Sequence, residues 1–287
     1  MKWSSEYRPS LLGCTATGFS PDTEYALGGP GHGLQAQRLA WDSRLLGVPC
    51  ARITLLGADS RPGLARLDRD LGRLLTRMDA EGIAFCDVRI ALSAFPLIHM
   101  AEAHGFRLVD ILALYVSRGR PAEASAPAAM RIIHREQATA SQLRDILQLG
   151  KTSFRAARLY RDGHIRRQTA DTFYQELLSE LLGRRDAVCH LAIAQNGRAV
   201  GYVIGTQDTA PGLADPVGVL WLIGVAPSVA GRGIGSALLD SFLRRMHQHC
   251  PCVEIGTQVD NRAATTLYAK AGLLPAGHLA TLHRWRP

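Results

Sequence analysis

Val219-Leu220-Trp221-Leu222-Ile223-Gly224-Val225-Ala226-Pro227-Ser228-Val229-Ala230-Gly231-Arg232-Gly233-Ile234-Gly235-Ser236-Ala237-Leu238-Leu239 is the stretch on which the fold turns. Residues 219–225 form a continuously apolar run rich in β-branched and aromatic side chains, as a strand covered on both faces requires. Pro227 cannot donate to a ladder and ends it. Gly231, Gly233 and Gly235 let the backbone take positive φ or lie against a ligand, which a Cβ would penalise. Ile234, Ala237, Leu238, Phe242 and Met246 then recur at helical spacing, so a helix begins inside the last glycines. Its first-turn N–H groups lack intrahelical partners and its dipole adds positive potential, so this strand–loop–helix suits an anion, phosphate above all.

Three kinds of glycine loop fit such a stretch. A phosphate-clamping P-loop needs Lys after its spacer, and none is present. A dinucleotide fingerprint needs a third glycine where Ser236 stands, and although Glu254 follows at about the right distance, too little chain remains for a doubly wound sheet. The third is carried by two signatures in order: the loop itself, and Asp260-Asn261-Arg262-Ala263-Ala264-Thr265-Thr266-Leu267-Tyr268-Ala269-Lys270-Ala271-Gly272 downstream. Together they resemble the GCN5-related N-acetyltransferase superfamily.

That resemblance implies an α/β (α+β) fold with a mixed central sheet and flanking helices, and acetyl-CoA as cosubstrate. It also implies roles. The amides of Gly231, Arg232, Gly233, Ile234, Gly235 and Ser236 would hold the pyrophosphate, with Arg232 as a charge partner. Amides from Ile223 to Val225, where the strand should splay, would face the developing oxyanion. Asn261 caps its helix in any reading, since Asn is a favoured N-cap, and by resemblance also contacts the coenzyme. Tyr268 would protonate the departing thiolate; the alternative is a tyrosine packed in the core with its hydroxyl bonded to backbone. Two departures stand out. Ala230 replaces the family's usual Gln or Arg, and residues 219–225 carry no carboxylate where many relatives place a Glu, so no general base is identified.

With 287 residues and ordinary globular composition, the chain has room for one large or two modest domains. The amino terminus lacks a signal-like apolar stretch, no run approaches a membrane span, and six irregularly placed cysteines give no disulfide framework, so a cytoplasmic protein is expected. His247, His249, Cys250 and Cys252 are too cramped for a tetrahedral metal site, and no metal is expected. A net charge of +8 suits anionic ligands generally, but the basic residues are scattered, which argues against nucleic acid.

Residues 1–35 lack a sustained period, and Gly28-Gly29-Pro30-Gly31-His32-Gly33 reads as a flexible arm. Residues 36–118 read as a lobe of strands and helices whose Ala101-Glu102-Ala103-His104-Gly105-Phe106 echoes Ala269-Lys270-Ala271-Gly272-Leu273. It is expected to be a truncated, coenzyme-free copy of the acetyltransferase domain. The small, Pro-containing stretch 119–129 is the expected linker, and 130–287 the acetyl-CoA-binding domain, with Asn196-Gly197 marking a hairpin.

The acceptor must be argued from outside the loop. Leu39-Ala40-Trp41-Asp42-Ser43-Arg44-Leu45-Leu46-Gly47-Val48, Ser153-Phe154-Arg155 with Asp171 and Phe173-Tyr174, and Ile255-Gly256-Thr257-Gln258-Val259-Asp260-Asn261 resemble segments of the bacterial dTDP-fucosamine acetyltransferases. The resemblance implies a nucleotide-linked 4-amino-4,6-dideoxyhexose acceptor. Arg155, Arg158 and Arg161 suit bidentate contact with its diphosphate, or else form a solvated charged face. Tyr174 and Trp41 could stack on the sugar or sit in the core. Another amine acceptor, or a non-catalytic coenzyme A-binding protein in keeping with Ala230, stand as rivals. A homodimer is expected by analogy alone.

Overall fold

The computed structural model describes residues 24–29, 32–56, 61–119, 130–153, 157–208 and 215–286. They divide into two compact units that are not consecutive in sequence. One takes residues 113–156 and 174–276; the other takes 24–112, 157–173 and 277–286. This differs from a contiguous division into 36–118 and 130–287: residues 113–118 of the first expected lobe, and 157–173 and 277–286 of the second, belong to the other unit. Residues 120–129 of the expected linker lie outside the described residues.

In the second unit, β1 (Glu24–Gly29) and β2 (His32–Arg38) pair antiparallel, with Gly29 opposite His32. The expected flexible arm is therefore corrected over these residues. Gly28, Gly29 and Gly33, which break any period in the sequence, pair at the end of this ladder, and Leu34 and Ala36 turn into the core. Residues 1–23 of that arm lie outside the described residues. The chain continues through α1 (Ala40–Leu46), β3 (Cys50–Leu56), α2 (Arg61–Ala80), β4 (Phe85–Ala91), α3 (Phe95–Ala103) and β5 (Arg107–Arg118). Helix α2 lays Leu67, Leu71, Leu74, Leu75 and Met78 on the sheet, the apolar stripe its spacing predicts.

The first unit holds β6 (Met130–His134), α4 (Ala140–Ser153), β7 (Val188–Ala194), β8 (Ala199–Asp208), β9 (Val217–Val225), α7 (Ile234–Met246), β10 (Cys252–Gln258) and α8 (Arg262–Lys270). Two further helices precede β7: the short α5 (Arg158–Arg161), in the second unit, and α6 (Arg167–Gly183), which passes from the second unit into the first at Tyr174. Strands β7 and β8 form the hairpin that Asn196-Gly197 predicts, with Gly197 in the left-handed region at φ 79°. Strand β9 pairs with β8 on one side and β10 on the other. Helix α7 packs Leu238, Phe242 and Met246 on one face with Val203, Leu220 and Ile255, while Ile146 of α4 and Leu178 of α6 cover Leu191, Tyr202 and Ile204 on the opposite face. The last strand, β11 (Leu274–Trp285), enters the second unit from Gly277 onward.

The order β3–α2–β4–α3–β5 repeats β9–α7–β10–α8–β11. Both parallel pairs also stop short of their strands' ends: β3–β4 from Cys50/Phe85 to Ile53/Val88, and β9–β10 from Val217/Cys252 to Leu220/Ile255.

Candidate coenzyme and transfer site

Strand β9 runs five residues beyond its last pairing with β10, to Val225, and β10 runs on to Gln258. The ladder on β9's other side is irregular as well. Between Ile204 and Gly205 the β8–β9 register shifts, so that Ile204 faces Leu222 and Gly205 faces Leu220, which leaves Trp221 as an extra residue. Such a bulge bends the strand and raises its twist. Trp221 Nε1 donates to Thr206 Oγ1 at 2.7 Å and pins the bulge in place. Beyond it, polar backbone groups of residues 221–225 that would have met β10 have no strand opposite. This unpaired interval forms a wedge between the strands, and Ile223 and Val225 lie on the stretch of β9 that borders it.

The loop after β9 supplies the second part. Gly231 and Gly233 sit at φ 76° and 80°, both left-handed, and Gly233 is the N-cap residue of α7. Gly231, Arg232 and Gly233 are exposed, whereas Ile234 is buried and anchors the helix start. The first-turn amides, those of Gly235 and Ser236 included, have no capping side chain. Gly235 is where three elements meet: a Cβ there would lie 3.6 Å from Leu267 of α8 and 3.8 Å from Val225 of β9.

Helix α8 supplies the third. Asn261 Oδ1 accepts from the Ala264 N–H at 3.2 Å, and its Nδ2 donates to Thr257 Oγ1 at 3.1 Å, so the N-cap also ties α8 to β10. Tyr268 is buried in one apolar cluster with Ile234 and the wedge residues Ile223 and Val225. Its ring meets that of Tyr115 edge-on, with centroids 5.4 Å apart. Burial pushes its phenol above the ordinary tyrosine range, so it stays protonated at neutral pH. Among the described residues its hydroxyl makes no hydrogen bond, in contrast to the core reading in which backbone would satisfy it.

The expected acceptor residues fare differently. Arg155 lies outside the described residues. Arg158 is corrected: it is not a free phosphate ligand but the hub of a buried network in the second unit. Its guanidinium approaches Asp87 at 3.3 Å and Asp42 at 3.8 Å, and its Nη1 donates to His283 Nε2 at 3.1 Å. His283 then donates through Nδ1 to Asp162 Oδ2 at 2.7 Å, which fixes it as a neutral imidazole. Burial lowers its pKa in the same sense. Asp87 is also held by Arg52; burial opposes ionisation, but the two guanidinium groups outweigh it and keep the carboxyl below its usual range. Burial dominates at Asp42 and raises its pKa. Arg161 pairs with Asp110 at 3.4 Å. Tyr174 is buried, and Trp41 meets Phe173 edge-on at 4.7 Å, so both take the core option.

This network was not read from the sequence, because its members are spread from Asp42 to His283 and no local spacing joins them. The His247 group reads as a helix end: His247 Nδ1 donates to the Cys250 carbonyl at 3.0 Å and its Nε2 meets Ser117 Oγ at 2.9 Å. No helix among the described residues is long and apolar enough to cross a membrane.

Residues 145–273, which contain all three parts of the site, match the model of the Acetyltransferase (GNAT) family. Solved structures share the fold over most of the chain. A GCN5-related N-acetyltransferase from Sphaerobacter thermophilus aligns with a TM-score of 0.61 at 17% identity, covering 88% of this chain and 77% of that one. A tandem GNAT protein from the clavulanic acid biosynthesis pathway aligns at 0.58 and 16%, covering 94% and 86%. The fold is thus that of the GCN5-related N-acetyltransferases. Among curated proteins, the spore coat polysaccharide biosynthesis protein SpsD of Bacillus subtilis is 29% identical over 141 residues, 49% of this chain and 46% of its own length. The L-2,4-diaminobutyric acid acetyltransferase of Nocardia farcinica is 37% identical over 91 residues, 31% of this chain and 46% of its own. The chain spans about half the length of both of these relatives.

Proposed function

We propose that the protein is an acetyl-CoA-dependent N-acetyltransferase acting on the amino group of a nucleotide-activated amino sugar, of the dTDP-4-amino-4,6-dideoxyhexose kind, by direct transfer in a ternary complex. The observation that carries the transferase reading is the wedge between β9 and β10, flanked by the glycine loop and by Tyr268. Amides of residues 231–236 hold the pyrophosphate, with Arg232 beside them. The pantetheine arm enters the wedge, and its thioester oxygen meets the amides of Ile223 and Val225, which alternate away from β8. The acceptor nitrogen attacks the thioester carbon and its lone pair forms the new C–N bond. The C–S bond breaks, and the thiolate takes the Tyr268 proton. The nitrogen's surplus proton leaves to water, since no carboxylate lies on residues 219–225. Holding amine and thioester in line supplies the largest share, on the order of 7–11 kcal/mol of barrier.

The sugar acceptor leans on the sequence resemblance and on the polysaccharide role in the name of the Bacillus relative. A second reading, a small diamine or amino-acid acceptor, gains from the match to the diaminobutyric acid acetyltransferase and from the withdrawal of Arg158 into the interior. Thiol release from acetyl-CoA, followed with dTDP- and UDP-amino sugars beside polyamines and 2,4-diaminobutyrate, separates them. Turnover with a nucleotide sugar at a kcat/KM well above the free amines is expected. Coenzyme binding without turnover on any amine would mark a non-catalytic protein.

A further inference from the structure

Beyond the bulge, β10 no longer supports β9, and the backbone of residues 223–225 is held in the sheet from the β8 side alone. What fixes it there is a close contact between two opposed residues. Tyr202 of β8 faces Gly224 of β9 across the antiparallel ladder. Tyr202 is fully buried, and a Cβ on Gly224 would stand 2.8 Å from its Cε1 and 3.1 Å from its Cζ and Oη. No side chain fits at 224 while the ring is in place, because such separations lie inside van der Waals contact. The ring is itself confined by Leu191, Ile204 and the helices that cover that face, so it has no slack to give.

We propose that Tyr202 is a positioning residue of the transfer site: seated against Gly224, its ring sets the backbone of residues 223–225 at the mouth of the wedge, and with it the oxyanion-facing amides. This rests on the transfer reading above. Tyr202 touches no substrate; it acts through the strand. Its effect therefore falls on how the thioester carbonyl is held rather than on how tightly the coenzyme's distant phosphates are bound.

The test uses the full chain and acetyl-CoA labelled with 13C at the thioester carbonyl. Two quantities are measured: the coenzyme Kd by calorimetry, and the carbonyl stretch of the bound thioester by isotope-edited infrared spectroscopy. The unaltered protein should bind and show a carbonyl band shifted from that of free acetyl-CoA. Gly224→Ala should keep Kd within about twofold while the band returns toward its free position, and kcat on any accepted amine should fall at least tenfold. Gly224→Ala/Tyr202→Leu should relieve the collision and recover the melting temperature without recovering the shifted band, because the ring that seats the strand is gone. Gly218→Ala is the control: a Cβ there would come within 2.9 Å of Met246, in the part of β9 still paired with β10, so it loosens the fold without touching the wedge. It should lower the melting temperature and leave the band alone.

If Gly224→Ala does not fold, Tyr202→Leu alone carries the test from the other partner, with Kd held and the band lost. A band unmoved by either change, or moved equally by Gly218→Ala, would overturn the positioning role and leave the transferase reading standing. Absence of acetyl-CoA binding to the unaltered protein would sink both.

Discussion

At the scale of single residues, the question is what a buried polar group costs and what it does in return. Tyr268 is 2% exposed and its ring packs in an apolar cluster with Ile234, Leu273 and Tyr115. Packing alone would be served as well by phenylalanine. Tyr268→Phe should thus leave the melting temperature unchanged or higher while kcat falls roughly 10²-fold or more, the range for loss of a positioned acid. Because burial raises its pKa, the phenol keeps its proton through the neutral range, and its contribution to kcat should show no alkaline loss below about pH 10. An unchanged kcat at saturating acetyl-CoA would remove Tyr268 from the mechanism. A second buried group makes the opposite prediction, about stability. Burial lowers the His190 pKa from 6.5 to about 4, helped by its neighbour His134, whose ring lies 4.4 Å away. A folded-state pKa depressed in this way contributes stability above the unfolded value and loses it as pH falls from 6.5 towards 4. The loss amounts to roughly 3 kcal/mol by that shift. Chemical denaturation at stepped pH should show this slope, and His190→Gln should flatten it; an equal slope in the variant would assign it elsewhere.

At the scale of elements, the strand–loop–helix at 219–246 was legible because every signal in it is local. A continuous apolar run, a proline, spaced glycines and a helical period all fall within one window, and no distant partner changes their meaning. The bulge at Trp221 was not legible, since it is a relation between two strands, and neither was the β1–β2 hairpin, whose glycines resemble linker composition until β3 provides a template. The short helix α5 shows the limit most plainly. Arg158 and Arg161 in sequence are evenly spaced cations and suit an anionic acceptor. Folded, Arg158 is nine-tenths buried among Asp42, Asp87 and His283. Removing one member of such a network strands the others as uncompensated charges, at roughly 3–5 kcal/mol. Arg158→Ala should accordingly lower stability by about that much, and Arg161→Ala should lower it as well, since its partner Asp110 is buried. Neither should alter acetyl-CoA binding beyond about threefold in a protein that remains folded. A selective rise in KM for a nucleotide sugar with Arg158→Ala at unchanged stability would return that residue to the acceptor site.

At the scale of the whole molecule, composition places two domain-sized segments on either side of residues 119–129, and the contacts do not respect that boundary. Residues 277–286 of β11 belong with 24–112, where Ala280 and Leu282 complete the core built by Leu71, Leu74 and Met78, and where Arg284 pairs with Asp79. Residues 113–118 of β5 belong in turn with the coenzyme-binding unit, where Tyr115 meets Tyr268. Each unit therefore completes its sheet with a strand drawn from the far side of the linker, which no composition shift announces. The consequence can be measured. A fragment covering 130–287 keeps the glycine loop and Tyr268 but loses the strand segment bearing Tyr115, and leaves the apolar residues of 277–286 without their core. Expressed alone, it should fail to give a cooperative thermal transition or to bind acetyl-CoA, despite containing every signature residue of the site. Co-expression with 1–118 should rebuild a soluble complex that melts as one species and binds the coenzyme within about tenfold of the intact chain. A 130–287 fragment that melted cooperatively and bound acetyl-CoA unaided would mean that the exchanged strands are dispensable, and that the boundary read from composition is the thermodynamic one.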